Sequence, residues 1–265
     1  MNTQRILTVI DKEWSEVFKN RLVLFMVAFL PIIFTVLPLG ILYATAGASS
    51  DLSGDVADLP AQFLAQCGGA SPIECLQIFI MNQFLLLFMM MPLIIPVSIA
   101  AYSVVGEKTT RSLEPLLATP ISTGELLLAK GLAAAVPAVV ATWLGYLIFI
   151  VGAPLVGAGP AAVASLVSPV WLLAILAVGP LMSVMAVNFA IMVSSRVTDP
   201  RVAEQMSAII IVPVLAVLFG QIGGLIVLNV AFVIGAIVLL LAADAGLVAL
   251  AVRVFEREAI LTRWK

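Results

Sequence analysis

Histidine is absent from all 265 residues, cysteine occurs twice, and only 11% of the chain is charged. Without imidazoles, and with so few thiols, most routes to a catalytic metal or a His-based acid–base pair are closed. The motifs of nucleotide chemistry are missing too. There is no G-x-x-x-x-G-K-[ST] phosphate loop, because Gly106-Glu-Lys-Thr lacks the earlier glycine. No H-E-x-x-H or G-x-S-x-G occurs. A net charge of -2 leaves no case for nucleic-acid binding.

What the chain has in excess is apolar length. It is 63% hydrophobic, which excludes an ordinary water-soluble domain and places it among helical membrane proteins. Runs at 22–45, 79–105, 126–151, 170–193, 206–225 and 229–252 each reach the roughly 20 residues that a spanning helix needs. The first competes with a signal peptide, since Ala44-Thr-Ala46 resembles a cleavage site. Its apolar run is longer than the usual 7–15 residues, so it reads as a retained span. No charge occurs from Gly131 to Ser195, and the Gly- and Pro-rich stretch 152–169 divides that run into two spans. Gly220–Gly235 fits a tight turn or a pair of short re-entrant helices. Before the first span, in 1–21, Ile6, Val9, Ile10, Trp14, Val17 and Phe18 recur at helical spacing. Asp11, Lys12, Ser15, Glu16 and Lys19 take the other face, giving an interfacial amphipathic helix.

All 13 Lys and Arg fall in four places: the N-terminus, Gly106–Lys130, Ser195–Gln205 and the C-terminal tail. The positive-inside rule puts these in the cytoplasm, with both termini inside. The expected fold is therefore all-α, a polytopic membrane protein of six transmembrane helices forming one domain. The 46–78 loop then faces outward. It carries Asp51, Asp55, Asp58 and Glu74, and both cysteines. Cys67 and Cys75 fit a disulfide in an oxidising compartment or a pair of free thiols. The Met89–Met91 run fits flexible packing better than a thioether metal path. Asp244 is the one acid inside a span, either a proton or cation site or a carboxyl that is protonated or paired in the bundle.

The one long charged internal segment is Gly106–Lys130, GEKTTRSLEPLLATPISTGELLLAK. Leu113, Leu116 and Leu117 share one side of a short helix flanked by Arg111 and Glu114. Pro115 suits its first turn and Pro120 stops it. Held between two spans, such a knob suits docking in a groove of a soluble partner.

This segment resembles the signature of the membrane subunits of ATP-binding-cassette exporters, the permease superfamily of sodium, drug, lantibiotic and O-antigen exporters. It is also similar to the membrane half of the G-subfamily transporters. The matching positions are Glu107, Ser112, Leu113, Glu114, Leu116, Leu117, Thr119, Pro120 and Lys130. Arg111 stands where the pattern has Gly, and Pro115 where it has Leu. Ser195-Arg196, Ala203-Glu-Gln205, Pro213 and Phe255-Glu-Arg-Glu258 are further marks.

The resemblance implies a coupling helix at Thr110–Ala118, within a coupling region 106–125, seated in a separate ATPase subunit. Glu107, Arg111, Leu113, Glu114, Leu116, Leu117 and Pro120 would make that contact, with the N-terminal helix as a second one. It further implies two ATPase copies that carry the ATP and Mg, and a second permease copy or paralogue. The chain itself would bind no cofactor and catalyse nothing. The location would be the cell membrane, and the path would lie between spans two and five. Two other functions fit the bare sequence: a secondary transporter using Asp244, and a non-transporting assembly subunit of a larger membrane complex.

Overall fold

A computed structural model of the chain describes residues 3–19, 21–46, 67, 70–109 and 121–254. These are mostly helical, and no strand occurs among them. The short helix expected at 110–118 lies outside the described residues, as do Arg111, Leu113, Glu114, Leu116, Leu117, Pro120 and the tail from Phe255.

α1 (Thr3–Val17) precedes six helical stretches long and apolar enough to cross a membrane. Span one is α2 (Arg21–Ala46). Span two is α3 (Pro72–Phe88) continued by α4 (Met91–Thr109), and span three is α5 (Thr123–Leu155). Span four joins α6 (Pro160–Leu166), α7 (Pro169–Leu173), a π-helical turn at Ala174–Val178, and α8 (Gly179–Ser194). Span five runs from α9 (Pro200–Ser207) through a 3₁₀ turn at Ala208–Ile211 into α10 (Val212–Ile222). Span six is α11 (Val230–Val254).

Two helices start earlier than their apolar runs. Ser71 caps α3, its Oγ accepting from Glu74 N while its own N–H donates to Glu74 Oε2, both at 3.3 Å. That capping box, with Pro72 at the first position, begins the helix before the uncharged residues do. Asp199 and Pro200 do the same for α9, where Asp199 Oδ1 accepts from Arg201 N at 2.8 Å. Between spans five and six the chain makes a turn. Gly224 takes a φ of +68°, and Leu225 and Ile226 donate back to Gly220 O in a Schellman-type closure.

Span two is the axis of the bundle. Of its most apolar window 83% is buried, against 11% for spans one and six. Apolar side chains on the outer spans, such as Phe25, Ile32, Val238 and Leu239, face outward, as lipid contact requires. The methionine run joins α3 to α4. Met89, Met90 and Met91 are buried there, where Pro92 interrupts the ladder.

Prolines leave carbonyls without donors, and indoles supply them. In span four, Gly179 N–H reaches back to Ala174 O and Pro180 has no N–H, so Ile175 O loses its helical partner. Trp143 Nε1 donates to it at 3.1 Å.

Span three approaches its neighbours through glycine. A Cβ on Gly152 would lie 2.9 Å from Leu39 Cδ1 of span one, and one on Gly145 3.2 Å from Phe88 Cε1. Gly152→Ala is expected to be mild, because the obstructing atom is the end of a flexible side chain. Gly152→Ile must separate the spans and should cost about 1–3 kcal/mol, read as a lower unfolding temperature in detergent.

Candidate functional site

The site is assembled at the end of the bundle where α1 lies across the start of span three. Ile6, Val9, Glu13 and Val17 form the buried stripe of α1, at the three- and four-residue steps of a helix. Ile6 and Val9 pack against Ile121, Leu126 and Ala129. Trp14 then fixes the register. Its Nε1 donates to Ala133 O at 3.0 Å, the carbonyl that Pro137 four residues on cannot serve. The start of α5 carries its own capping box, Ser122 with Glu125.

That docking carries Glu13 into the interior, where it meets two residues of the internal charged segment. Lys130 Nζ lies 2.7 Å from Glu13 Oε1, 2.8 Å from Glu107 Oε2 and 2.8 Å from Ser103 Oγ. Lys12 Nζ, at the rim, is 2.5 Å from Glu107 Oε1. Glu13, Glu107 and Lys130 are each no more than 4% exposed. Two acids and two bases thus balance, with Glu16 at the exposed edge 3.6 Å from Lys12. Desolvating four charges is expensive, and only full mutual pairing makes the cluster tolerable.

Its position matters more than its energy. Glu107 is on the last described turn of span two and Lys130 on the second turn of span three. The pair therefore clamps the two roots of the intervening segment together, and Glu13 and Lys12 bolt α1 onto the same point. The geometry makes α1, the roots of 108–129 and the ends of spans two and three one mechanical unit.

Burial alone would push the Glu13 carboxyl up. The Lys130 charge and hydrogen bond, with Ser103 and Lys12, outweigh it and hold Glu13 below its ordinary value. For Lys12, burial would lower the ammonium, and Glu107 foremost, with Glu13 and Glu16, raises it above its ordinary value. A depressed acid stabilises above its unfolded pKa, near 4.3, and loses that contribution as pH falls through its folded value. A raised lysine stabilises below about 10.4 and loses that only as pH rises past its higher folded value. A nitroxide on Thr8→Cys, on the exposed face of α1, should report a docked helix at neutral pH and a mobile one only in acid below the ordinary carboxylate range.

One turn along span two lies a second polar feature. Ser98 donates a hydrogen bond to Glu204 of α9. The two face a cavity of ≈400 Å³ between spans one, two and five, to which Met26, Tyr102, Arg201 and Gln205 also contribute. Asp244 stands apart from both. It is 7% exposed on the stripe of α11 that also buries Val233, and neither carboxylate oxygen has a hydrogen-bond partner in the described structure. Cys67 and Cys75 are joined by a disulfide, Cα–Cα 5.4 Å, at the opposite end of span two from the cluster. No group of metal ligands gathers among the described residues.

Of the candidate ATPase-contact residues named from sequence, Glu107 is the one that falls among the described residues, and it lies inside the chain rather than on its surface. Glu13, Lys12 and Lys130 are the partners that sequence reasoning passed over as site residues. Glu13 was detectable, because an acid four residues from Val9 and four from Val17 lies on the apolar stripe.

Six apolar helices, with span two buried among the others and a charged clamp at one end, define a multi-pass membrane protein. The family model for ABC-2 family transporter protein matches residues 7–236, and the chain belongs to that family. It is a permease component of an ABC transporter, and membership of the family implies association with an ABC ATPase. No curated protein matches the chain significantly.

Proposed function

We propose that this chain is the permease of an ATP-driven exporter, and that the Glu13–Lys130–Glu107–Lys12 cluster transmits the ATPase's movement to the substrate path. The buried clamp is the observation that carries this reading. A loop used only as a linker has no need of charges buried at both its roots.

In this reading Arg111, Leu113, Glu114, Leu116, Leu117 and Pro120 form a coupling helix in a groove of the ATPase, and α1 is a second contact. Glu107 acts at the root of that helix. ATP and Mg belong to the partner, two permease copies enclose a path between spans two and five, and the 46–78 loop faces outward from the cell membrane. ATPase closure pushes the coupling helix, and the clamp turns that push into a rigid displacement of spans two and three.

Leu117→Asp and Glu114→Arg test this in a reconstituted complex. Each should leave insertion intact and lower affinity for the ATPase by about 2 kcal/mol, roughly 30-fold, as expected for a central contact. Substrate-stimulated hydrolysis should fall in step. Unchanged stimulation in both variants would sink the assignment of this segment.

A further inference from the structure

We propose that a narrow apolar cavity between spans two, four, five and six holds a single acyl chain of a bilayer lipid as a resident ligand. The cavity measures ≈470 Å³, within the range of small-molecule sites. It lies in the half of the bundle away from the ion cluster. Leu86 and Met89 of span two border it, about 20 Å of helix from Ser103.

Its chemistry excludes water. Among the residues around it only Trp171 carries a polar side-chain group, and Trp171 Nε1 is already committed to Asn82 Oδ1 at 2.6 Å. Pro213 removes one donor, and Val212 N–H turns back onto Ile209 O through the 3₁₀ turn. A water needs two to four polar partners, and the side chains here leave none uncommitted.

Its shape selects among apolar occupants. The border runs from Val170 to Met185 along span four and from Phe232 to Leu240 along span six, roughly 12–22 Å of helix rise. Spread over that length, ≈470 Å³ gives a cross-section of roughly 20–40 Å². A helix 10–12 Å across occupies roughly 80–110 Å², so a spanning segment of a second copy does not fit. A polymethylene chain does. The source is adjacent, since the outer part of span five packs on α3 and leaves a gap toward span six, whose Leu239 is exposed.

The test uses the full chain in vesicles of phosphatidylcholine that carries a diazirine on one acyl chain. The protein is extracted, stripped of annular lipid by gel filtration and then irradiated. Adducts are expected on the peptide containing Phe232–Leu240 and absent from the exposed Leu144–Ile148 face of span three. Gly235→Leu and Ala236→Trp should abolish the adduct with the elution volume unchanged. Gly235 has open space where a Cβ would go, so that variant keeps the backbone intact. Four results would each overturn the proposal: adducts lost from both faces on stripping, adducts that persist in both variants, permease–permease crosslinks at this peptide, or modification of Ala236→Cys by a charged impermeant thiol reagent. None of these readouts depends on an ATPase, so failure here leaves the coupling proposal standing.

Discussion

Lys130→Met is expected to destabilise the folded permease by about 3–5 kcal/mol, the cost of breaking a buried pair by removing one partner. Glu13 would then lose its buried cation and Glu107 would keep only Lys12, with the two carboxylates left facing each other in a buried site. Lys12 cannot replace the lost charge, because it already bonds Glu107 from the rim and lies 3.8 Å from Glu13. The loss should appear as poor recovery from the membrane and a lower unfolding temperature in detergent. Neutralising the whole core reverses the effect. Glu13→Gln and Glu107→Gln added to Lys130→Met remove the buried charges, and such replacements are often neutral or stabilising. The triple variant should recover most of the lost stability. Recovery on neutralisation identifies the penalty as electrostatic. A merely steric role for Lys130 predicts no recovery.

Lys12→Glu is expected to undock α1 without unfolding the bundle. The substitution places an acid against Glu107 and beside Glu13 and Glu16. Lys12 is about a third exposed, so screening reduces the repulsion to roughly 2 kcal/mol. Together with the ion pairs lost, that offsets a sizeable part of the roughly 3–6 kcal/mol that burying Ile6 and Val9 contributes. Trypsin should cut at Lys19 or Arg21 at least several-fold faster, while the Cys67–Cys75 disulfide and the spans stay protected. An unchanged cutting rate would mean that Trp14 and the apolar stripe hold α1 without the ion pairs.

Hydropathy is a property of single segments, which is why the six spans could be read from composition and from the distribution of Lys and Arg. Helix starts were equally local. Ser71-Pro-Ile-Glu74 and Asp199-Pro200 carry capping signals, yet apolar runs alone place those starts several residues late. The site was only half legible. Glu107 and Lys130 stand out as charges at span ends, but sequence does not say that they meet across the loop. Glu13 was hidden by habit, since an acid in an amphipathic helix is assigned to the wet face. Its spacing from Val9 and Val17 says otherwise. Trp14 could have been placed only by seeing that Pro137 leaves Ala133 O free. The apolar cavity was illegible, because it depends on how far span five stands from span six, a distance that no residue pattern encodes.

The clamp's role in transmission is tested most directly with the neutral triple variant, reconstituted with its ATPase subunit. Co-elution first establishes that the complex has formed, and hydrolysis is then compared with and without the permease. A transmitting clamp predicts a folded, ATPase-bound triple variant in which permease-dependent stimulation falls several-fold, a loss of about 1–2 kcal/mol of coupling. Full stimulation in that folded, assembled variant would contradict the account and reduce the cluster to a structural staple.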